Sequence, residues 1–421
     1  MITFKDMGLS QDLITALEQS GITSPTEIQS KSIPEALNGN DILASSQTGS
    51  GKTLAYLLPA ISTIIKDKNK ALVLAPTREI AMQVSATLNK FTRKLGIKGV
   101  AIIGGEPIFK QVSVLRTKPD VIVATPGRMI DHLNRGSIKL DGFGLLVLDE
   151  MDRMLDMGMR EQIDEINQRL PQGRQVLMFS ATMPEHILKS IGKYLSNPKR
   201  IVVGNATKAA PEIQQEFIEI AEDGKYIELN TQLTSKEGTV ITFVKTKRGA
   251  DKLAKNLKNA GHKAEAIHGD LKQSRRSKII ADFRSGKTRV LVATDVAARG
   301  LDIDHVKYVF NYDLPMCPED YLHRIGRTGR AGAKGHAISF VSPIDRSRMY
   351  AIDKLINKGQ STNVSDYKSS KKKSNNRNTK NKSFGKRESF GKKDSSSKKS
   401  SFGKNDRKSK PKFKTNNNKA A

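Results

Sequence analysis

The run Ser46-Gln47-Thr48-Gly49-Ser50-Gly51-Lys52-Thr53 has the composition of a loop that grips phosphates. A glycine-rich loop entering a helix turns backbone N–H groups and the helix's positive end toward an anion; Lys52 adds a point charge and Thr53 a hydroxyl for Mg²⁺. Ser46 stands where the strict pattern G-x-x-x-x-G-K-[ST] begins with glycine, so context must strengthen the match. Asp149 and Glu150 supply it. They close the apolar run Leu145–Leu148, where one carboxylate can reach the Mg²⁺ held by Thr53 and its neighbour can orient a water for in-line attack. Much later, His323-Arg324-Ile325-Gly326-Arg327-Thr328-Gly329-Arg330 brings three arginines, the residue type that neutralises charge building on a transferred phosphate. This chemistry is nucleoside triphosphate hydrolysis, completed by a second domain.

The elements that must position these groups read as α/β. Asp41–Ala44, Ala71–Ala75, Val121–Ala124, Leu145–Leu148 and Val176–Phe179 are short apolar runs without polar alternation, as strands of a parallel sheet covered on both faces require. Each is followed by polar residues: the phosphate loop, Pro76–Thr77, Thr125–Pro126, Asp149–Glu150 and Ser180–Thr182. Ligands of doubly wound sheets bind at the C-terminal strand ends, so these five ends predict one functional rim. A second series follows, with strands Val240–Val244, Ala264–Ile267, Val290–Ala293 and Tyr308–Phe310 and helices Lys247–Ala260 and Gln273–Arg284. Two tandem lobes are expected, over 1–204 and 212–359, joined by a hinge at 205–211 within the small, polar stretch Gly204–Pro211.

The chain carries a formal net charge of +29 over 421 residues. Between Ser361 and Ala421 stand 20 Lys and Arg against 4 Asp and Glu, and after Val364 there is no Ile, Leu, Val or Met. No core can form there, so 360–421 is expected to be a disordered basic tail. It repeats Ser-Phe-Gly-Lys around Phe384, Phe390 and Phe402. Two readings stand for it: a solubilising tail, or one whose rings stack on bases while its lysines follow phosphates. So basic a balance implies an anionic polymer as partner, nucleic acid first. No run of about 18 apolar residues predicts a membrane span, and the N-terminus has no secretion signal. The single cysteine, Cys317, excludes an internal disulfide and reads as a small buried or inert thiol in a reducing, cytoplasmic setting.

In order, the chain also contains Gly21-Ile22-Thr23-Ser24-Pro25-Thr26-Glu27-Ile28-Gln29, Pro76-Thr77-Arg78-Glu79-Ile80-Ala81, Gly104-Gly105, Thr125-Pro126-Gly127-Arg128, Asp149-Glu150-Met151-Asp152, Ser180-Ala181-Thr182, His268 to Arg276 and Ala293 to Asp302. With the phosphate loop and the arginine run, this order resembles the DEAD-box RNA helicases of superfamily 2, over roughly Phe4 to Val341. The compact core with a short basic tail is similar to the bacterial RhlE-like subgroup. The resemblance implies two RecA-like domains with ATP and Mg²⁺ as cofactors.

The resemblance further implies that Gln29 reads the adenine edge beside Thr26, and that Ile22 lies where the family usually has an aromatic residue. Ser46, Gln47, Thr48, Gly49, Ser50, Gly51, Lys52 and Thr53 would hold phosphates, Asp149 the metal and Asp302 the ribose. Glu150 would activate water, while Arg327 and Arg330 reach the γ-phosphate. Asp152, Ser180, Thr182 and His323 would couple the nucleotide site to the lobe interface. Pro76, Thr77, Arg78, Gly104, Gly105, Thr125, Gly127 and Arg128 of the first lobe, with Gln273, Arg276, Thr294 and Arg299 of the second, would contact RNA sugar and phosphate without reading sequence.

Met151 replaces the family's usual alanine. It must fit beneath the nucleotide or pack into the lobe. Met154, Met157 and Met159 read as packing, Glu161 and Asp164 as a solvated helix face, and His132, His186, His262, His305 and His336 as histidines without metal spacing. The expected function is RNA-stimulated ATP hydrolysis that opens short duplexes by a monomer, with ribosomal or RNA-decay proteins as partners. A non-unwinding RNA clamp or annealing factor and a DNA helicase are the alternatives.

Overall fold

Strand-forming runs of the first lobe assemble a seven-stranded sheet in which every pairing is parallel. Its strands are β1 (Ile42–Ser46), β2 (Lys70–Leu74), β3 (Gly99–Ile102), β4 (Val121–Ala124), β5 (Phe143–Leu148), β6 (Gln175–Ser180) and β7 (Lys199–Val203), in the order β3-β4-β2-β5-β6-β1-β7. The molecule is a computed structural model that describes residues 2–47, 49–183, 188, 192–204, 213–298, 303, 305–329 and 333–356. Thr48, His186, Arg299, Asp302, Arg330, the hinge expected at 205–211 and the tail expected at 360–421 lie outside the described residues.

Period-two alternation divides each central strand between two apolar layers. Ala71 and Val73 of β2 and Leu145 and Val147 of β5 join one core, while Leu72, Leu74, Leu146 and Leu148 join the other. The runs are continuous in sequence because both faces are covered. The helices are α1 (Gln11–Gln19), α2 (Glu27–Leu37), α3 (Lys52–Asp67), α4 (Arg78–Thr92), α5 (Ile108–Leu115), α6 (Pro126–Asn134), α7 (Met151–Asp156) and α8 (Arg160–Gln168). The five strands with polar ends, β4, β2, β5, β6 and β1, are consecutive neighbours, so their C-terminal ends share one rim.

The second lobe repeats the plan with β8 (Ile213–Glu219), α9 (Lys225–Ser235), β9 (Thr239–Phe243), α10 (Lys247–Asn259), β10 (Ala264–Ile267), α11 (Gln273–Arg284), β11 (Val290–Ala293), α12 (Asp295–Ala298), β12 (Val306–Asn311), α13 (Pro318–Ile325), β13 (Gly335–Val341) and α14 (Arg346–Ile356). Its all-parallel sheet runs β10-β11-β9-β12-β13-β8. Strands β3, β7, β8 and β13 go beyond the sequence expectation; three of them are sheet edges, and β8 carries three consecutive polar residues, Gln214 to Glu216, rather than running apolar. Cys317 is exposed at the N-cap of α13, which corrects the buried reading: a cap position lies outside the helix's apolar face. Among the described residues no helix is long and apolar enough to cross a membrane.

Arg324 staples the second lobe. Its Nε and Nη2 donate to Asp295 Oδ1 and Oδ2 at 2.6 and 2.7 Å, and Nη1 donates to Asn311 Oδ1 at 3.1 Å and the Asp313 carbonyl at 2.6 Å. The guanidinium also lies 4.9 Å from the Phe243 ring centroid. Four elements thus meet one buried cation. Truncation would leave the Asp295 carboxylate without its counter-charge, and breaking a buried pair costs about 3–5 kcal/mol. Arg324→Ala should therefore lower stability by that order, with Arg324→Lys recovering only part because an ammonium cannot reproduce the planar fork. Urea unfolding of the two variants checks this; a loss below about 1 kcal/mol would count against the staple.

Candidate active site and nucleic-acid interface

Gly51 opens α3 in the left-handed region, at φ +96°, and a Cβ there would lie 2.5 Å from Gln29 Nε2 and 2.8 Å from Thr26 Oγ1. Only glycine lets the phosphate loop pack so closely on the start of α2. Gln29 is buried and fastens that contact: its Oε1 accepts from the Thr26 amide at 3.0 Å and its Nε2 donates to the Gly51 carbonyl at 3.0 Å. The proposed adenine reader is thereby tied mechanically to the phosphate loop. Ile22 is half-buried and packs against the first-lobe core beside them. Across the loop, the Ser46 and Ser50 hydroxyls meet at 2.7 Å, an interaction that glycine in place of Ser46 would not provide.

Lys52 is buried, with Nζ donating to the carbonyls of Ser46 at 2.6 Å and Gln47 at 2.8 Å. Burial holds its ammonium below the usual range, against the opposing pull of Glu150, Asp149 and Asp152. Asp149 is buried at the end of β5 and accepts a hydrogen bond from Tyr56 Oη at 2.9 Å. Burial, then the charge of Glu150, pushes its carboxyl up to about 7. A buried carboxylate that resists ionisation, facing a loop with a left-handed glycine and a buried lysine, suits a cation–phosphate complex and suits a lone carboxylate poorly. Glu150 adopts φ +51° as the N-cap of α7, a conformation that costs a non-glycine residue about 1–3 kcal/mol. Its Oε2 is 3.1 Å from Nε of Arg153, which is almost wholly buried and whose guanidinium nitrogens have no hydrogen-bond partner among the described residues.

The coupling residues converge. Asp152 Oδ2 accepts from the amides of Ala181 at 3.2 Å and Thr182 at 2.9 Å and from Thr182 Oγ1 at 2.9 Å. Ser180 Oγ donates to the Thr182 carbonyl at 2.7 Å and accepts from the Asp152 amide at 3.3 Å. From the second lobe, His323 and Arg327 line a void of about 10 Å³ together with Arg153, and Arg327 Nε donates to the His323 carbonyl at 3.2 Å. Met151 is buried in the core, packing into the lobe as one of its two expected placements requires.

Of the expected RNA contacts, Pro76, Thr77, Arg78, Gly104, Gly105, Thr125, Gly127, Arg128 and Arg276 line one cleft of about 590 Å³, joined by Gly269 and Val296 of the second lobe. Gly105, at φ +81°, lies under the Arg78 guanidinium, whose Nη1 would be 2.1 Å from a Cβ there. Gln273 and Thr294 are buried and do not line this cleft. Gln273 instead donates through Nε2 to Glu79 Oε1 at 3.3 Å and accepts from Arg78 Nη1 at 3.4 Å, while Arg276 Nε donates to Glu79 Oε1 at 2.8 Å.

The sequence assigns no role to Tyr56, Arg153 or Glu79, and it offers Arg324 only as one of three arginines suited to a transferred phosphate. Glu79 and Arg324 lie within motifs, Arg153 adjoins one and Tyr56 lies one helical turn from one, which is the available signal. Among the bland assignments, His132 is hydrogen-bonded to Gln111, His262 to Asn230 and His305 to the Phe283 carbonyl, and His336 stacks on Tyr308. Asp164 departs from the solvated-face reading, because it accepts from Tyr194 Oη as well as Lys193.

Residues 26–191 match the DEAD/DEAH box helicase family and residues 224–332 the helicase conserved C-terminal domain. The chain is 43% identical over 358 residues to the DEAD-box ATP-dependent RNA helicase CshA of Geobacillus kaustophilus, covering 84% of this chain and 76% of the relative. It is similar to S. cerevisiae Dbp5 bound to RNA and ADP BeF3, with 32% identity, a TM-score of 0.76 and coverage of 84% and 93%. DEAD-box helicase Mss116 bound to ssRNA and UDP-BeF aligns at 26% identity with a TM-score of 0.79, covering 85% of this chain and 79% of that one.

Because folding raises the Asp149 pKa from 3.8 to about 7, its protonated form is the one the metal-free fold accommodates. The associated stability is fully present below about pH 4 and lost as pH rises through about 7. Melting temperature against pH in chelator should therefore fall over that window, and Asp149→Asn should flatten the fall. Parallel curves for the two proteins would remove Asp149 as its source.

Proposed function

We propose that this chain, which belongs to the DEAD-box helicase family, is an ATP-dependent RNA helicase. In this reading RNA-stimulated hydrolysis is coupled to closure of lobes 1–204 and 212–359 through the linker 205–211. The observation that carries it is the meeting of Lys52, Asp149, Glu150 and Asp152 on one strand-end rim, with His323 and Arg327 of the other lobe across a small void beside Arg153.

Lys52 transfers its donors from the Ser46 and Gln47 carbonyls to phosphate oxygens, helped by the amides of the loop from Ser46 to Thr53, Thr48 included. Thr53 and Asp149 would hold Mg²⁺, which would supply positive charge to offset that of the phosphates. Glu150 orients the attacking water and accepts its proton. Arg327 and Arg330 approach the γ-phosphate from the second lobe, Asp302 meets the ribose, and Gln29, Thr26 and Ile22 take the adenine. The tie between Asp152 and the Ser180–Thr182 turn transmits the state of the nucleotide to the lobe seam. Arg78, the Gly104–Gly105 turn, Thr125, Gly127 and Arg128 hold one RNA strand by its backbone, with Arg276 and Arg299 opposite. Such contacts are blind to sequence, and contacts to 2′-hydroxyls would favour RNA over DNA. A strand bent between closing lobes cannot keep its helical pairing, so a short duplex opens. The reading extends to a cytoplasmic monomer whose partners come from ribosome assembly or RNA decay.

Glu150→Gln should cut RNA-stimulated ATP turnover by about 10²–10⁴-fold while leaving ATP and RNA binding nearly intact. Steady-state turnover near wild type in that variant would exclude Glu150 as the base.

The segment after Val364 brings a dense excess of Lys and Arg to this reading, and in it that charge would add to RNA binding. Truncation there should weaken RNA binding and flatten its salt dependence, because fewer counterions are released, and should spare ATP hydrolysis at saturating RNA. An unchanged salt slope would leave the tail as a solubilising segment.

A further inference from the structure

Tyr56 lies three residues beyond Thr53 on α3, so the two side chains occupy the same face of the helix. The phenol is fully buried, and its ring meets Phe179 of β6 edge-on with centroids 5.4 Å apart. A buried tyrosine needs a partner for its hydroxyl, and a neutral backbone carbonyl would serve. Here the partner is a carboxylate 93 residues away, Asp149 Oδ2 at 2.9 Å. Burial and the charge of Asp149 keep the phenol protonated, so it acts as the donor.

We propose that Tyr56 is a positioning residue for the divalent cation, fixing Asp149 by one oxygen so that the other stays aimed at the cation shared with Thr53. The proposal rests on the reading that Thr53 and Asp149 hold that cation. Asp149 ends a strand and its side chain has two torsions of its own, so strand geometry alone does not set the carboxylate plane. The Tyr56 bond removes that freedom by joining the helix that carries Thr53 to the strand that carries Asp149. Partners of this outer kind typically change metal affinity by about 10–100-fold when removed. Phenylalanine would keep the packing on Phe179 and lose only the donor, so the hydroxyl's role can be separated from that of the ring.

The test is Mg²⁺-dependent binding of a fluorescent ADP to the full chain, at fixed pH, in wild type, Tyr56→Phe, Phe179→Leu and Asp149→Asn. Tyr56→Phe should raise the Mg²⁺ concentration for half-maximal enhancement by about ten-fold or more while leaving nucleotide affinity in chelator unchanged. Phe179→Leu, which loosens the ring's packing but keeps the hydroxyl, should retain the wild-type Mg²⁺ dependence. Identical Mg²⁺ curves for Tyr56→Phe and wild type would overturn the proposal, as would an equal shift in Tyr56→Phe and Phe179→Leu, since packing alone would then explain it. A wild-type protein without any Mg²⁺ response, or a full response surviving in Asp149→Asn, would instead defeat the underlying cation site.

Discussion

The Asp152 carboxylate receives two amides and a hydroxyl from the turn that ends β6, and it lies in a run of acidic residues that ends β5. This bond set illustrates the constraint that governs the whole rim: the groups needed for chemistry are charged, and in this fold they are buried. Lys52, Asp149, Asp152, Arg153, Arg276, Arg324 and Arg327 are all below a tenth exposed. A buried charge without a partner is costly. Most find counter-charge, donors or acceptors on another element, often in another motif, whereas Arg153 has only Glu150 at the start of its own helix. Gln29 fastens the phosphate loop, Asp152 fastens the Ser180–Thr182 turn, and Glu79 fastens Gln273 and Arg276 across the cleft.

Much of this was legible in the sequence because a parallel sheet writes itself as unbroken apolar runs. Val121–Ala124, Ala264–Ile267 and Val290–Ala293 occupy the expected positions. β3, β7 and β8 were not legible because edge strands bury less: β3 is mostly half-exposed and β8 fully buries only Ile213. The motif residues were legible by type and order. Their partners were not, because a side chain's partner depends on which strands become neighbours. Nothing in the sequence alone says that Tyr56 meets Asp149 or that Glu79 meets Arg276. Gln273 and Thr294 illustrate the limit, since motif membership suggested a cleft surface and both side chains are buried beside it.

Glu79 gives the cleft an unusual electrostatic character. It is nearly buried and places a carboxylate among Arg78, Gln273 and Arg276, in a surface otherwise suited to phosphate. The acid has the same charge as an RNA phosphate and pairs with a donor set of the same kind. Its presence lets Arg276 remain buried at the lobe seam without nucleic acid, where an unpaired guanidinium would hold the lobes apart. The seam is therefore organised by protein charges, and the other guanidinium groups of the cleft are held in the same way, Arg78 by Gln273 and Arg128 by the Glu106 carbonyl and Asp131.

In the second lobe the same logic runs through a single side chain. Helix α13 carries His323 and leads directly to Arg327, and the position of both depends on where that helix sits against the sheet. Arg324, on the same helix, is held by Asp295 after β11, by Asn311 at the end of β12 and by the Asp313 carbonyl beyond it. The bonds differ in direction, so together they fix the helix in rotation as well as translation. Arg327 then projects from a helix end that cannot slide without breaking charged bonds in a buried site. In the role proposed for Arg327, meeting a phosphate from the second lobe, such an anchor would matter, because a misplacement of about 1 Å can cost 10²-fold in rate. The arginine run is thus not uniform: Arg324 serves the lobe's own structure, and only the arginines after it are proposed to serve the nucleotide.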